Sequence, residues 1–332
     1  MLKIALIGLG HIAKYQIDAI NKVSGIELVD AHDIDSAKAT TLPPTVNFHK
    51  TIESLLDKSL ADVFVVSTPN VTHYKIGQRL LEKQRAVLLE KPVCTAQEEL
   101  DLLLDLVSGT KQFVSVAFHA AFASDVAWWL ENSHESKYGL GELIGFNAGF
   151  FDPYIINGQI APTAESLGGS WIDSGINALS VITKFIEPTL LSVNESRMTT
   201  LPVYNCSQVQ GLSLMSFPTT EGYGHGIVDT NWSLGINRKS TRLWYEHGDV
   251  LLYHSLESVF TIDNGKPNLL ADLRNQNSRL TNHYCSLFQD LIYRFRSGES
   301  NIEYAAKIHR LLFEAMEENV YFTEVECGTK QT

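Results

Sequence analysis

Leu2-Lys3-Ile4-Ala5-Leu6-Ile7-Gly8-Leu9-Gly10-His11-Ile12-Ala13, residues 2–13, is the stretch that decides the fold. Apart from Lys3, its first six residues are apolar and read as a strand covered on both faces. Gly8-x-Gly10-x-x-Ala13 follows at once and opens a helical pattern from His11 to Val23. A dinucleotide fingerprint requires that context of strand, turn and helix. Gly8 permits the tight turn, Gly10 lets a diphosphate approach the backbone, and Ala13 keeps the helix close to the strand. The helix N-terminus, through His11 and Ile12, adds N–H donors and a dipole that favours an anion.

Outward from this turn the same rhythm repeats. Ile26 to Asp33, Val46 to Phe48, Ala61 to Ser67, Ala86 to Leu89 and Phe113 to Phe118 read as strands. Helical patterns separate them at Thr51 to Asp57, Thr72 to Lys83, and from a Thr95 cap to about Val107, with Glu98 as the capping-box partner. Residues 1–120 are therefore expected to form a doubly wound parallel Rossmann sheet, an α/β domain that binds a dinucleotide.

The pattern then changes. Ser124 to Glu131 reads as a helix, Leu143 to Phe151 as a strand, 152–170 as a loop, and Trp171 to Phe185 as a helix. Five strands follow: Leu190 to Thr199, Ser207 to Phe217, His225 to Leu234, Ser240 to His247 and Val250 to His254. Helices at Ser278 to Arg296 and Asn301 to Tyr321 close the chain. Residues 121–332 are expected to form an α+β domain for substrate binding and oligomerisation. Its sheet is expected to be large, open and mostly antiparallel, with helices on one face.

Composition narrows the partners. The chain has 332 residues and a formal net charge of −12, which argues against nucleic acid or an anionic membrane as the main partner. Cys94, Cys206, Cys285 and Cys327 are far apart and read as free thiols in a reducing compartment, with no metal-ligand spacing among them. The N-terminus is already a strand, and no apolar run reaches the roughly 18 residues a membrane span needs. The expectation is a complete cytoplasmic protein.

Three places carry candidate chemistry. Asp33 ends the second strand, where a carboxylate can accept from the adenosine ribose and repel a 2′-phosphate. NAD is thereby favoured over NADP, and Ile34-Asp35-Ser36 offers nothing basic. A solvated strand-end acid is the competing reading. Thr68-Pro69-Asn70 and Glu90-Lys91-Pro92 end the fourth and fifth strands, at the carboxyl edge of the sheet. Lys91 falls where a nicotinamide would lie. In Gly168-Gly169-Ser170-Trp171-Ile172-Asp173-Ser174-Gly175-Ile176-Asn177, Asp173 and Asn177 are four apart and share a helix face. A mere N-cap role for Asp173 is the alternative.

In order and spacing, these motifs, with His73 after Thr68-Pro69-Asn70, resemble the Gfo/Idh/MocA oxidoreductases. The resemblance implies a Rossmann domain, an open-sheet second domain, a nicotinamide cofactor and a sugar or polyol substrate. It places Gly8, Gly10, His11, Ile12, Asp33, Thr68, Pro69, Asn70, His73, Glu90 and Lys91 at the cofactor. One departure matters: Asn177 stands where the commonest family pattern has a basic His, and Asn cannot take up a proton. Trp171 to Ser180 instead looks like the branch that oxidises L-arabinose or D-galactose at the anomeric carbon to a lactone. On that reading Lys91, Asp173 and Asn177 are catalytic. Asp173 is the favoured base and Lys91 polarises the oxygen, with neutral Lys91 as base the open alternative. His119, Asp152, Tyr154, Asn177 and Trp232 are the candidates for sugar contact. A wide sheet face implies a homodimer or homotetramer. Reaction on a ring hydroxyl, or a non-catalytic NAD-binding sugar regulator, are the alternatives.

Overall fold

The computed structural model describes residues 1–134, 138–201 and 206–317. The side chain of Cys206, all of Cys327 and the expected helix end at Tyr321 lie outside the described residues. Cys94 and Cys285 are free thiols, the first buried.

The first sheet holds β1 (Leu2–Ile7), β2 (Ile26–His32), β3 (Asn47–His49), β4 (Val63–Val66), β5 (Ala86–Glu90) and β6 (Val114–Ala117). All pair in parallel, in the order β3-β2-β1-β4-β5-β6. The crossovers include α1 (Ala13–Lys22), α2 (Ile52–Lys58), α3 (His73–Glu82) and α4 (Gln97–Val107). The strand order reverses between β1 and β4, and the crevice beyond those strand ends is where such sheets take ligands. Alternation along β1 sorts its side chains cleanly. Ile4 and Leu6 enter one core with Val63, Val65 and Leu88, while Ala5 and Ile7 enter the other with Phe64, Val66 and Leu89. Each fully buried Leu, Ile, Val or Phe contributes about 1.5–3 kcal/mol of transfer free energy, so both faces hold this sheet in place.

The second region begins with α5 (Ser124–Asn132) and β7 (Leu143–Phe151), followed by a small hairpin, β8 (Ile155–Ile156) and β9 (Gln159–Ile160). A single π turn, Trp171–Gly175, runs into α6 (Ile176–Ile182). Then come β10 (Ser192–Leu201), β11 (Cys206–Thr219), β12 (Gly222–Asn231), β13 (Arg238–Tyr245), β14 (Gly248–Tyr253), β15 (Ser258–Asp263) and β16 (Lys266–Asp272). The eight-stranded sheet has the order β10-β11-β12-β7-β13-β14-β15-β16. Helices α7 (Arg279–Ser297) and α8 (Ile302–Glu317) complete the described chain.

The second sheet is mostly antiparallel, as expected, with a parallel pairing where β7 is inserted between β12, its parallel neighbour, and β13, its antiparallel one. Other expectations change here. β15 and β16 were not foreseen; the polar and exposed residues of β16 gave no apolar alternation. The 152–170 loop carries the β8–β9 hairpin. Thr95 does not cap α4: Ala96 occupies the cap, and Glu99 rather than Glu98 reaches back to the Thr95 N–H at 3.2 Å. Trp232 lies one residue beyond β12.

The two last helices divide their allegiance. Tyr284, Leu287, Phe288 and Leu291 of α7 join the core of β1 and α1 on one face of the first sheet, whereas Ile308, Leu311 and Leu312 of α8 join the core that runs from the first sheet's other face to the second sheet. No helix among the described residues is long and apolar enough to cross a membrane.

Candidate active site

The glycine turn performs two separate tasks. Gly8 has φ +92°, and a Cβ there would sit 2.6 Å from the Ser67 carbonyl oxygen of the neighbouring strand end. Only glycine fits that crossing. A Cβ on Gly10 would meet nothing within 4 Å. The space above it is open, and α1 starts with no side-chain cap on its N-terminal donors. Open space and unspent donors together fit a diphosphate. Asp33, buried at the end of β2, accepts from Leu9 N–H at 2.7 Å and Asp35 N–H at 2.8 Å. Lys38, brought round by the 3-10 turn Ser36–Thr41, adds its ammonium at 3.0 Å. A basic group therefore does serve Asp33, five residues along rather than in the three that follow it. Burial pushes the Asp33 carboxyl up, but these donors outweigh it and the net shift is downward. The carboxylate stays charged at the end of β2.

Asn70 donates to the Leu167 carbonyl at 2.8 Å, tying the end of β4 to the loop that carries the π turn. His73 lies between two carbonyls, Pro92 at Nδ1 and Thr68 at Nε2, each at 2.6 Å. Burial pulls its pKa down, and a neutral ring donates to one of the two. Glu90 also turns inward. Its Oε1 accepts from Tyr284 Oη at 2.6 Å and Gln16 Nε2 at 2.9 Å, and its Oε2 from Lys91 N–H at 3.2 Å. Burial pushes this carboxyl up to about 7 against those donors. His309 on α8 takes the Val93 N–H on Nε2 at 3.0 Å while its Nδ1 faces the Ala305 carbonyl at 2.7 Å. Nδ1 therefore carries the proton. Burial pulls its pKa down to about 4, which keeps that tautomer neutral.

Held from both sides in this way, Lys91 extends across to the second region. Its Nζ donates to Asp173 Oδ1 at 2.8 Å and to the Asp173 carbonyl at 3.0 Å. Both side chains are nearly buried, at 9% and 11% exposure. The carbonyl is turned to Lys91 at the π turn, where the ordinary i to i+4 ladder is interrupted. Gly169, at φ +106° before the turn, accepts the Asp173 N–H at 3.0 Å. Asn177 approaches Asp173 as the four-residue spacing implied, yet its Nδ2 donates to the Asp173 carbonyl at 3.2 Å and not to the carboxylate. Its buried Oδ1 has no partner among the described residues. No described residue hydrogen-bonds Asp173 Oδ2.

A second ion pair lies alongside. Lys239 meets Asp152 Oδ1 at 2.5 Å, and Ser174 Oγ donates to Asp152 Oδ2 at 2.8 Å. Burial pushes the Asp152 carboxyl up, but Lys239 and Ser174 outweigh it and the net shift is downward. Tyr154 packs edge-on to Trp232 at 4.9 Å. Burial and the neighbouring Asp173 and Asp152 push the Tyr154 phenol up, so it stays protonated. Trp232 is fully buried and gives its Nε1–H to Ser174 Oγ at 3.3 Å, so it backs the site and presents no open face. His119 follows β6, with Nδ1 3.4 Å from His283 Nδ1. Burial and the nearby Lys91, Arg279 and Lys239 pull its pKa well down, leaving a neutral ring too weakly basic to hold a proton at neutral pH.

Residues 2–118 match the family described as oxidoreductases with an NAD-binding Rossmann fold, Gfo/Idh/MocA. They belong to that family. Within it, glucose-6-phosphate 3-dehydrogenase of Bacillus subtilis is 29% identical over 128 residues, 38% of this chain and 36% of that protein. Inositol 2-dehydrogenase of Rhodococcus erythropolis is 29% identical over 126 residues, 36% of each chain. This chain thus spans about a third of the length of the curated relatives it matches. A solved 3-ketoreductase from Actinomadura kijaniata has TM-score 0.79 at 16% identity, over 97% of this chain and 99% of its own. At that identity the likeness shows the fold alone, over both regions.

Lys239, Ser174, Tyr284 and His309 escaped the sequence reading. Lys239 had a signal: it falls in the inward phase of β13, with Thr241 and Leu243, where a lysine needs a partner. Tyr284 and His309 had none, since nothing local marks which strand end a distant helix will touch.

Proposed function

We propose that this protein is a nicotinamide-dependent dehydrogenase that oxidises an aldose at its anomeric carbon to the lactone. The observation that carries this reading is the buried Lys91–Asp173 pair, with Asp173 Oδ2 and Asn177 Oδ1 left unspent beside it. A nicotinamide bound along the β1–β4 crevice supplies the hydride acceptor. Asp173 Oδ2 receives the proton of the anomeric hydroxyl. Lys91, donating to two oxygens of Asp173 already, has one N–H left for the anomeric oxygen as it becomes a carbonyl. Two acceptors on one Nζ favour Lys91 as a donor over Lys91 as base. Asn177 Oδ1 accepts a second sugar hydroxyl. The Asp152–Lys239–Ser174 group, with the Tyr154 hydroxyl, forms the polar wall that orients the ring. The Asp33 carboxylate favours a free ribose 2′-hydroxyl, hence NAD over NADP, with Lys38 softening that preference.

A second reading, oxidation at a ring hydroxyl, draws on the names of the relatives, a 3-dehydrogenase and an inositol 2-dehydrogenase. An aldose panel with NAD and NADP in parallel, with the product trapped as lactone or keto-sugar, separates the two. The expected result is NADH formation with lactone. Asp173→Ala should cut kcat by about 10²–10⁴-fold, the contribution of a positioned acid–base group. A near-normal kcat in that variant would remove Asp173 from the chemistry.

A further inference from the structure

On α7, Arg279, Asn282 and His283 share one face, at spacings of three and four residues. The two later members fix where that face points. Asn282 Nδ2 donates to Glu257 Oε1 at 2.9 Å, and His283 Nδ1 sits 3.4 Å from His119 Nδ1, at the carboxyl edge of the first sheet. Arg279, one turn earlier, is half-buried and makes no hydrogen bond or ion pair among the described residues. Its electrostatic neighbours are Asp152, Asp125, Glu257 and Tyr15, so it stands between the sugar wall and α1.

Those carboxylates are committed elsewhere. Asp152 serves Lys239 and Ser174. Asp125 lies 2.8 Å from His254 Nδ1, and Glu257 accepts from Ser124 and Asn282. Burial pulls the Arg279 pKa down, and these groups oppose that from a distance without using its donors. At half burial, water rather than a described protein group answers its five N–H donors, and an anionic oxygen group that displaced that water would take them. His283 adds a second open position: its Nε2 is buried and has no partner among the described residues.

We infer that Arg279 is the recognition residue for an anionic oxygen group, a phosphate or carboxylate, carried by the sugar substrate. The inference rests on the aldose reading above and narrows it to phosphorylated or carboxylated sugars. A planar fork of donors suits either group bidentately, whereas a neutral hydroxyl would leave most of the fork unanswered. The rival occupant is the cofactor diphosphate, because Tyr15 lies on the first turns of α1.

The test uses the full chain with NAD. Glucose, glucose 6-phosphate and glucuronate, and the galactose counterparts, are compared as substrates for the wild type, Arg279→Gln and Arg279→Lys. For the wild type, kcat/KM is expected to be at least about tenfold higher on one anionic series than on its neutral parent. In Arg279→Gln, KM for that series should rise about 10- to 100-fold, the worth of a charge-assisted hydrogen bond pair, with kcat little changed. Arg279→Lys should fall between. Equal efficiency on neutral and anionic sugars, unaffected by Arg279→Gln, overturns the inference and leaves the aldose reading intact. A matching rise in the NAD dissociation constant of Arg279→Gln assigns the residue to the cofactor and also overturns it. If no aldose turns over, calorimetric binding of the same phosphates and carboxylates to the NAD-loaded protein decides. Binding lost in Arg279→Gln supports the anion site although the aldose reading has failed, and no binding to the wild type overturns both.

Discussion

The two sheets solve the same problem in opposite ways. The first is parallel and buried on both faces, so its side chains are spent on cores and candidate site residues sit at strand ends: Gly8, Asp33, Thr68, Lys91 and His119. The second is mixed and carries helices on one face, and its contribution comes from within. Lys239 lies on the inward phase of a strand, and Asp173 sits in a π turn laid against the sheet. A group at a strand end can be removed without opening a core. A charge inside a sheet face is part of the packing it interrupts.

The largest expected effect sets the two lysines against each other. Lys91→Met should lose about 10²–10⁴-fold in kcat. It and Lys239→Met each strip a buried carboxylate of its partner, Asp173 in one and Asp152 in the other, so each should cost about 3–5 kcal/mol of stability, read by urea unfolding. Lys239→Met should raise KM more than it lowers kcat. If the two variants lose kcat alike, the contrast between edge and interior fails.

Much of this contrast was open to sequence reading on one side only. Strand-end motifs are local: the turn at Gly8 to Ala13 and the Glu90-Lys91-Pro92 run announce themselves within a few residues, and the six strands fall close to where the apolar runs place them. The second region depends on distant pairing. Nothing in Leu143 to Phe151 says that it will separate β12 from β13. Nothing in the Asp173–Asn177 spacing says that a π turn will deliver the Asp173 carbonyl, with its carboxylate, to Lys91. Lys38 was missed for a shorter-range version of the same reason, since a 3-10 turn shortens the path back to Asp33.

A smaller effect sharpens the picture of the first sheet. The Glu90 carboxyl, pushed up by burial from 4.5 to about 7, binds its proton more tightly folded than unfolded. Stability should therefore fall as pH rises from about 4.5 through 7, by something on the order of 3 kcal/mol. Glu90→Gln keeps acceptors for Tyr284 and Gln16 and should flatten that slope in unfolding curves taken at pH 5 and 7.5. An unchanged slope would mean that Glu90 does not govern it.

The smallest effects separate the two glycines. Gly8→Ala adds a left-handed residue and a backbone clash, so it should cost at least about 1–2 kcal/mol. Gly10→Ala meets only open space and should leave stability within about 0.5 kcal/mol, yet weaken NAD about tenfold or more by intruding on the diphosphate. A destabilised Gly10→Ala with normal NAD affinity would make the turn purely architectural.

The return of α7 to the first sheet has a consequence for how the chain is made. Tyr284, Leu287, Phe288 and Leu291 fill a core whose other members were synthesised well over a hundred residues earlier. During synthesis the nucleotide half waits with one flank uncovered until α7 emerges, and a fragment ending near residue 120 would keep that flank permanently bare. Such a fragment should be sticky and loosely folded although it holds every strand of its sheet. The boundary drawn by the strands is therefore not a place where the molecule can be cut.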